Sequence, residues 1–277
     1  MTQAEALFKA GQLGAAIAEL TREVKARPAD ERARTFLFEL LCFAGEWERA
    51  EKQLEVIGHQ QAQAEAGTLV YRNNIEAERA RQRFRAGGGE PHFLSEPPAY
   101  VDLLIDAARC LHEGRFGDAR ALFDRVEEER PALSGEINGR RFGDFRDFDD
   151  ATAPVLELFV KDKYTWLPFE QVLRIEVEAP ARLRDLLWAP TRIESTDGVL
   201  GEVFLPVLYA GTNLDADEMV RLGRVTDRRP AAEGVHLAVG AHLFVTDGDD
   251  EELLGVRSLV FDAAQAEPPP GRIHNEE

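Results

Sequence analysis

Cysteine is nearly absent from this chain: two residues, Cys42 and Cys110, in 277. They lie far apart inside apolar helical patterns, and neither belongs to a Cys-x-x-Cys or Cys/His cluster. No disulfide framework or thiolate metal centre is therefore expected, and both read as small core residues. Long apolar runs are missing too. No stretch approaches the roughly 18 residues of a membrane-spanning helix, and Glu5 precedes any basic residue, unlike the start of a secretory signal. The expected location is the cytoplasm. Positive charge is scarce: 33 Lys and Arg stand against 51 Asp and Glu, a formal net charge of -18. A field of that sign repels phosphate backbones and anionic lipid, so neither nucleic acid nor membrane is expected as a partner. Residues 1–130 hold 18 of the basic and 23 of the acidic residues, which leaves 15 and 28 for residues 131–277. Most of the acidity sits in the second half.

Catalytic signatures are also lacking. There is no Gly-x-x-x-x-Gly-Lys-Ser/Thr phosphate loop, no Gly-x-Ser-x-Gly elbow and no His-Glu-x-x-His helix. Of the histidines only His236 and His242 lie near each other, so no metal is expected. The run Asp247-Gly248-Asp249-Asp250-Glu251-Glu252 lacks the spacing of a calcium loop and falls between two strand patterns, which reads as an acidic hairpin turn. Asp144, Asp147, Asp149 and Asp150 read as turn and cap residues. Catalysis is the weaker expectation, and no cofactor is implied.

What the chain does have is a repeat. Gly11-Gln-Leu-Gly-Ala-Ala16, Gly45-Glu-Trp-Glu-Arg-Ala50 and Gly114-Arg-Phe-Gly-Asp-Ala119 each place an apolar residue two positions and an alanine five positions after the glycine. The glycines are 34 and then 69 residues apart, one and about two tetratricopeptide periods. Leu20, Leu54 and Phe123 follow nine residues after them, and Pro28 and Pro131 close the pattern seventeen after the first and third. The glycine allows the left-handed turn between two antiparallel helices, and the alanine lets them approach. Between the second and third units, residues 63–85 read as one long helix with Ala64, Leu69, Ile75, Ala80 and Phe84 among polar residues. Its arginines Arg72, Arg79, Arg81, Arg83 and Arg85 read as a solvated face with Glu76–Arg79 and Glu78–Arg81 pairs; a contact for an acidic partner is the alternative. Residues 34–44 are apolar nearly all round and must be buried on both sides.

Composition changes after Pro131. The length suits two domains, and the expected division is a tetratricopeptide-like α-helical repeat domain over 1–133, an α+β domain over 134–264 with an antiparallel sheet or partly closed barrel, and a flexible tail over 265–277. Asn138-Gly139 signals a hairpin, because both central residues of a type I′ turn need positive φ. Asp149-Asp150 offers an N-cap for a short helix through Val155, Leu156, Phe159 and Val160. Residues 172–178 alternate as a half-buried strand stopped by Pro180, a helical turn follows at 183–188, and further strands are expected around 191–194, 203–209, 237–246 and 254–261.

These features, with further dense stretches, resemble the ImpE/TagJ family of bacterial type VI secretion accessory proteins. The likeness is carried by the run from Leu37 through Leu40-Leu41-Cys42-Phe43 to Trp47, by Ala50, Gln53-Leu54, Tyr71-Arg72, Gly87-Gly88 and Pro97-Pro98. It continues in Asn138-Gly139, Trp166-Leu167-Pro168-Phe169-Glu170, Arg174-Ile175-Glu176, Ala179-Pro180, Leu183-Arg184-Asp185-Leu186-Leu187-Trp188, Arg221-Leu222-Gly223-Arg224 and Thr226-Asp227. The resemblance implies a non-catalytic adaptor between a contractile sheath and the AAA+ ATPase, ClpV, that disassembles it, contacting the N-terminal helix of the small sheath subunit, TssB. It carries over no catalytic residues. Placing tetratricopeptide inner-face positions on the repeats gives Phe8, Thr35, Glu39, Phe43, Leu104, Ala108, Leu111 and His112 as groove candidates, about half of them expected in the core. A competing reading is a small-molecule or enzymatic site in the second domain built from Trp166, Glu170, Arg174 and Asp185; the same residues suit an inter-domain interface. Assembly as a scaffold oligomer is a third.

Overall fold

The computed structural model describes residues 2–60, 64–247 and 249–262. The segment 265–277, expected as a loose tail, and Gly248 in the acidic turn lie outside them.

Antiparallel helices fill the first part: α1 (Gln3–Lys9), α2 (Leu13–Ala26), α3 (Glu31–Phe43), α4 (Trp47–Gln60), the long α5 (Ala64–Arg85), α6 (Tyr100–His112) and α7 (Phe116–Glu129). The repeat glycines sit at the hairpin turns with φ of +79°, +69° and +72°. Each turn closes with the same pair of bonds, such as Gly45 N–H to the Cys42 carbonyl (3.0 Å) and Glu46 N–H to the Leu41 carbonyl (2.9 Å). Two otherwise orphaned helix-end carbonyls are thereby satisfied. Ala16, Ala50 and Ala119 are fully buried where the helices approach. The large repeat residues differ: Leu13 and Trp47 are buried, whereas Phe116 is 49% exposed. Trp47 is covered by α5, whose Gln82 side chain accepts a bond from its indole N–H at 3.0 Å. After α7 the chain enters a strand and not another repeat helix.

An antiparallel eight-stranded sheet follows, in the order β2-β1-β13-β6-β7-β8-β4-β5. Its strands are β1 (Gly135–Ile137), β2 (Arg140–Phe142), β4 (Val155–Val160), β5 (Lys163–Pro168), β6 (Val172–Val177), β7 (Trp188–Ser195), β8 (Gly198–Pro206) and β13 (Ser258–Phe261). Asn138 and Gly139 make the β1–β2 turn with φ of 50° and 84°. A small sheet, β12-β11-β3, and a hairpin complete the unit: β3 (Phe145–Asp147), β9 (Asp227–Ala232), β10 (Val235–Val239), β11 (Leu243–Thr246) and β12 (Asp250–Glu252), with a one-turn helix α8 (Glu218–Arg221). The large sheet stays open, with β2 and β5 as its edges. The β5 edge is covered by the linker from α5: His92 N–H donates to the Tyr164 carbonyl (2.8 Å), and Trp166 N–H donates to the His92 carbonyl (3.0 Å).

Two expectations are corrected. The apolar run at 155–160 is strand β4, not a helix. Val155 and Phe159 face the helices while Leu156 and Leu158 enter the core of the β unit, so the run is continuously apolar because both faces are buried. The expected strand at 237–246 is two strands, broken at Gly240, whose φ is +97° and whose missing side chain leaves room for the backbone of Val225 and Thr226.

The large sheet serves two cores. One face, with Val155, Phe159, Tyr164, Trp166 and Trp188, packs on the helices in a single hydrophobic cluster. The other closes over Phe145, Phe169, Phe244 and Phe261, whose rings meet at centroid distances such as 4.9 Å for Phe145–Phe169.

Candidate partner-binding cleft at the domain seam

Charged groups are buried where α5 crosses the sheet, and they pair with one another. Arg81, expected on a solvated face, is 1% exposed. Its Nε donates to Glu157 Oε1 at 2.9 Å, its Nη2 pairs with the other carboxylate oxygen, and its Nη1 donates to the Leu208 carbonyl at 2.9 Å. His242 lies between Asp147 (3.0 Å) and Glu157 (3.4 Å), with Arg81 3.2 Å from its Nε2. Tyr209 stacks on the imidazole at 3.8 Å and donates to Asp147 at 3.0 Å. Burial alone would raise the Glu157 pKa, but Arg81 and His242 overcome it and hold the carboxyl well below its usual range. For His242 burial disfavours the imidazolium, yet Asp147 and Glu157 outweigh it and the pKa is raised. Asp149, cut off from water, is pushed up to about 6 against the opposing charge of Arg85. Arg79 does follow expectation, pairing on the surface of α5 with Glu76 and, on α4, with Glu51 and Glu48.

A second contact is a strap over residues 208–226 that clasps the first repeats. Glu218 Oε1 accepts the N–H of Gly14 at 2.8 Å, in the first turn of α2. Arg224 donates to the carbonyls of Lys9 (2.9 Å) and Phe8 (2.8 Å) at the end of α1, and its guanidinium lies 5.1 Å from the Phe8 ring centre. An anion at a helix start and a cation at a helix end both complement the backbone dipoles. Met219 fills the space beside Gly11, and Asn213 that beside Gly45.

The second unit thus covers part of the face on which the eight groove candidates lie, and they do not form one open groove. Phe8 is half-buried beneath Arg224 and edge-on to Phe36 at 5.7 Å. Glu39 is buried and pairs with Arg184 of the second unit at 3.2 Å. Phe43 and Leu104 are fully buried core residues. Ala108, Leu111 and His112 line a cleft of about 220 Å³ with Arg85, Ala231 and Leu237. Thr35 lines a larger cleft, about 560 Å³, between α3–α5 and the β6, β7 and β8 strands. The helical wall of this cleft includes Phe38, Leu54, Ile57, Val70 and Tyr71, none of them among the groove candidates.

The competing constellation does not converge. Trp166 is buried edge-on to Phe84 of α5 at 5.0 Å. Glu170 accepts from the Tyr100 hydroxyl at 3.2 Å, Arg174 is exposed beside Glu176, and Asp185 caps the N–H groups of Ala181 and Arg182. Trp166, Glu170 and Asp185 therefore hold elements together. Among the described residues no group of three His, Cys, Asp or Glu side chains is arranged to hold a metal, and no helix is long and apolar enough to cross a membrane.

Comparison with known proteins agrees with this architecture. A family profile described as ImpE protein matches residues 139–260, and one described as Tetratricopeptide repeat matches residues 7–70. A Pseudomonas aeruginosa protein named Type VI secretion system accessory component TagJ is 35% identical over 263 residues, 95% of this chain and 92% of that one. The X-ray crystal structure of a Vibrio parahaemolyticus protein, 25% identical in sequence, superposes with a TM-score of 0.87 over 94% of this chain and 98% of its own. A tetratricopeptide-like unit clasped to an antiparallel β unit, similar in sequence along nearly its whole length to such a component, places the chain in the ImpE/TagJ family of type VI secretion accessory proteins.

Proposed function

We propose that this chain is a non-catalytic cytoplasmic adaptor of a type VI secretion system, which holds an amphipathic helix of the small, TssB-like sheath subunit and links the sheath to the ClpV-type ATPase. One observation carries the reading. The second unit covers Phe8 and Glu39, and Phe43 is core, but Ile57, Val70 and Tyr71 remain accessible beside an open cleft, over buried Phe38 and Leu54. An apolar stripe on a helical repeat is the surface to which amphipathic helices bind. The name of the Pseudomonas aeruginosa relative and the tetratricopeptide match support an accessory role in the same direction.

The test is co-purification of the full chain with the small sheath subunit, intact or lacking its N-terminal helix, with and without the ATPase. Retention of the intact subunit alone, and of the ATPase in the same complex, is expected. Equal retention of both subunit forms would place the contact on another part of the sheath. Retention of neither would remove the adaptor reading.

A further inference from the structure

The large cleft has two unlike walls. On one side, Ile57 of α4 and Val70 and Tyr71 of α5, with Thr35 of α3, present a mainly apolar surface laid over Phe38 and Leu54, which are themselves core residues. On the other stand Glu178 after β6, Pro190 of β7, Glu202 and Phe204 of β8, and the turn containing Arg182 and Asp185.

The charges on this rim do not cancel. Arg184 is committed: it pairs with Glu39 at 3.2 Å, donates to the Tyr71 hydroxyl at 2.7 Å and lies over that ring at 4.6 Å. Asp185 accepts the N–H groups of Ala181 (2.9 Å) and Arg182 (2.8 Å). Glu178 and Glu202 are exposed, and their carboxylates have no hydrogen bond or ion pair among the described residues. Setting aside the Arg184–Glu39 pair, three carboxylates, Glu178, Glu202 and Asp185, face one guanidinium, Arg182. An occupant meets a net negative rim on a chain that is itself at -18.

The backbone also selects the shape of the ligand. β6 and β7 are paired on both sides, and beyond β6 the Glu178 N–H is taken by the Pro190 carbonyl at 3.0 Å, whereas β8 is paired along its length with β7 and meets β4 only at Phe204. Along β6 and β7 the sheet wall therefore offers no free edge to which an extended peptide could add its main chain. A helix satisfies its own backbone and needs only side-chain contact.

We propose that the cleft takes an amphipathic helix, its apolar face on the α3–α5 surface and a lysine or arginine on its flank facing Glu178 and Glu202. This assignment rests on the adaptor reading above and adds to it the place and the charge of the ligand. Exposed ion pairs are individually weak, so the two carboxylates together are worth roughly a tenfold preference at low salt.

The probes are two labelled designed helices with the same leucine stripe, one flanked by lysine and the other by glutamate, titrated against the full chain. The lysine helix is expected to bind about tenfold tighter to the wild type, and the advantage to vanish as salt rises from about 0.05 to about 0.5 M. In Glu178→Lys/Glu202→Lys the preference reverses. Val70, 37% exposed, is changed to Asp as the apolar-wall variant, and it should weaken both helices more than about tenfold. All three positions are exposed, so thermal melts should match the wild type. Equal affinity for the two helices, a preference that survives the double charge reversal, or full binding by Val70→Asp would each overturn the assignment. If the intact sheath subunit co-purifies with all variants as it does with the wild type, the cleft assignment falls and the adaptor reading stands. If the wild type retains neither the lysine helix nor the sheath subunit, both fall.

Discussion

Arg81 has every edge of its guanidinium committed: two bonds to Glu157, one to the Leu208 carbonyl, and Glu78 at 3.6 Å. Burial works against the charged form, and the carboxylates of Glu157 and Glu78 overcome it, so the guanidinium is held charged more firmly than usual. Removing one partner of a buried ion pair strands the other, which costs about 3–5 kcal/mol, whereas replacing both with apolar residues is often neutral. Arg81→Met should therefore lower the unfolding free energy in urea by about 3–5 kcal/mol, and Arg81→Met/Glu157→Leu should recover most of it. A single-variant loss below about 1 kcal/mol would mean that water reaches Glu157. Within the helix, the i,i+3 pair of Glu78 and Arg81 reads as one of several surface pairs, like Glu76 and Arg79. Nothing local distinguishes the two; Glu157 is 76 residues away from Arg81.

At the scale of elements, local chemistry was largely legible. The three glycine turns, the long α5 and the Asn138-Gly139 hairpin each depend on residues within a few positions of one another. β4 was misread because a strand buried on both faces has no alternation to show. The strap was legible only as a dense run, Arg221-Leu222-Gly223-Arg224; its purpose appears when Arg224 is seen on the end of α1, 216 residues from the Phe8 carbonyl it caps. Arg224→Ala removes two hydrogen bonds to helix-end carbonyls and a ring contact at a partly solvated site. A loss of about 1 kcal/mol is expected, with amide exchange in α1 faster and exchange in α6 unchanged. Unchanged exchange in α1 would show that the strap does not hold it.

For the whole molecule, the shared face of the sheet makes the two units one packed body, and its buried charges give stability a pH window. Glu157 has a lowered folded pKa, so its contribution is present above the ordinary carboxylate value near 4.3 and is lost as pH falls through the lowered one. His242 has a raised folded pKa, so its contribution is complete below about 6.5 and is lost as pH rises through the raised value. Asp149, raised to about 6, acts in the same direction as His242. The groups facing His242 are Asp147 of β3, Glu157 of β4, Arg81 of α5 and Tyr209 of the strap. The melting temperature should peak in mildly acidic solution, and His242→Asn should flatten its fall on the alkaline side; an unaltered alkaline limb would remove His242 from the account. By itself the sequence determined the helical repeat, the change to an antiparallel β unit and the charge of the molecule, because periodicity, turn residues and composition act over short stretches or as sums over the chain. Only the tertiary structure decided that Phe8 and Glu39 are covered by the chain's own second unit, that Phe43 and Leu104 are core, and that an open cleft lies between α3–α5 and the sheet. Tetratricopeptide spacing says which side chains share a face, but what covers that face is set by residues more than a hundred positions away.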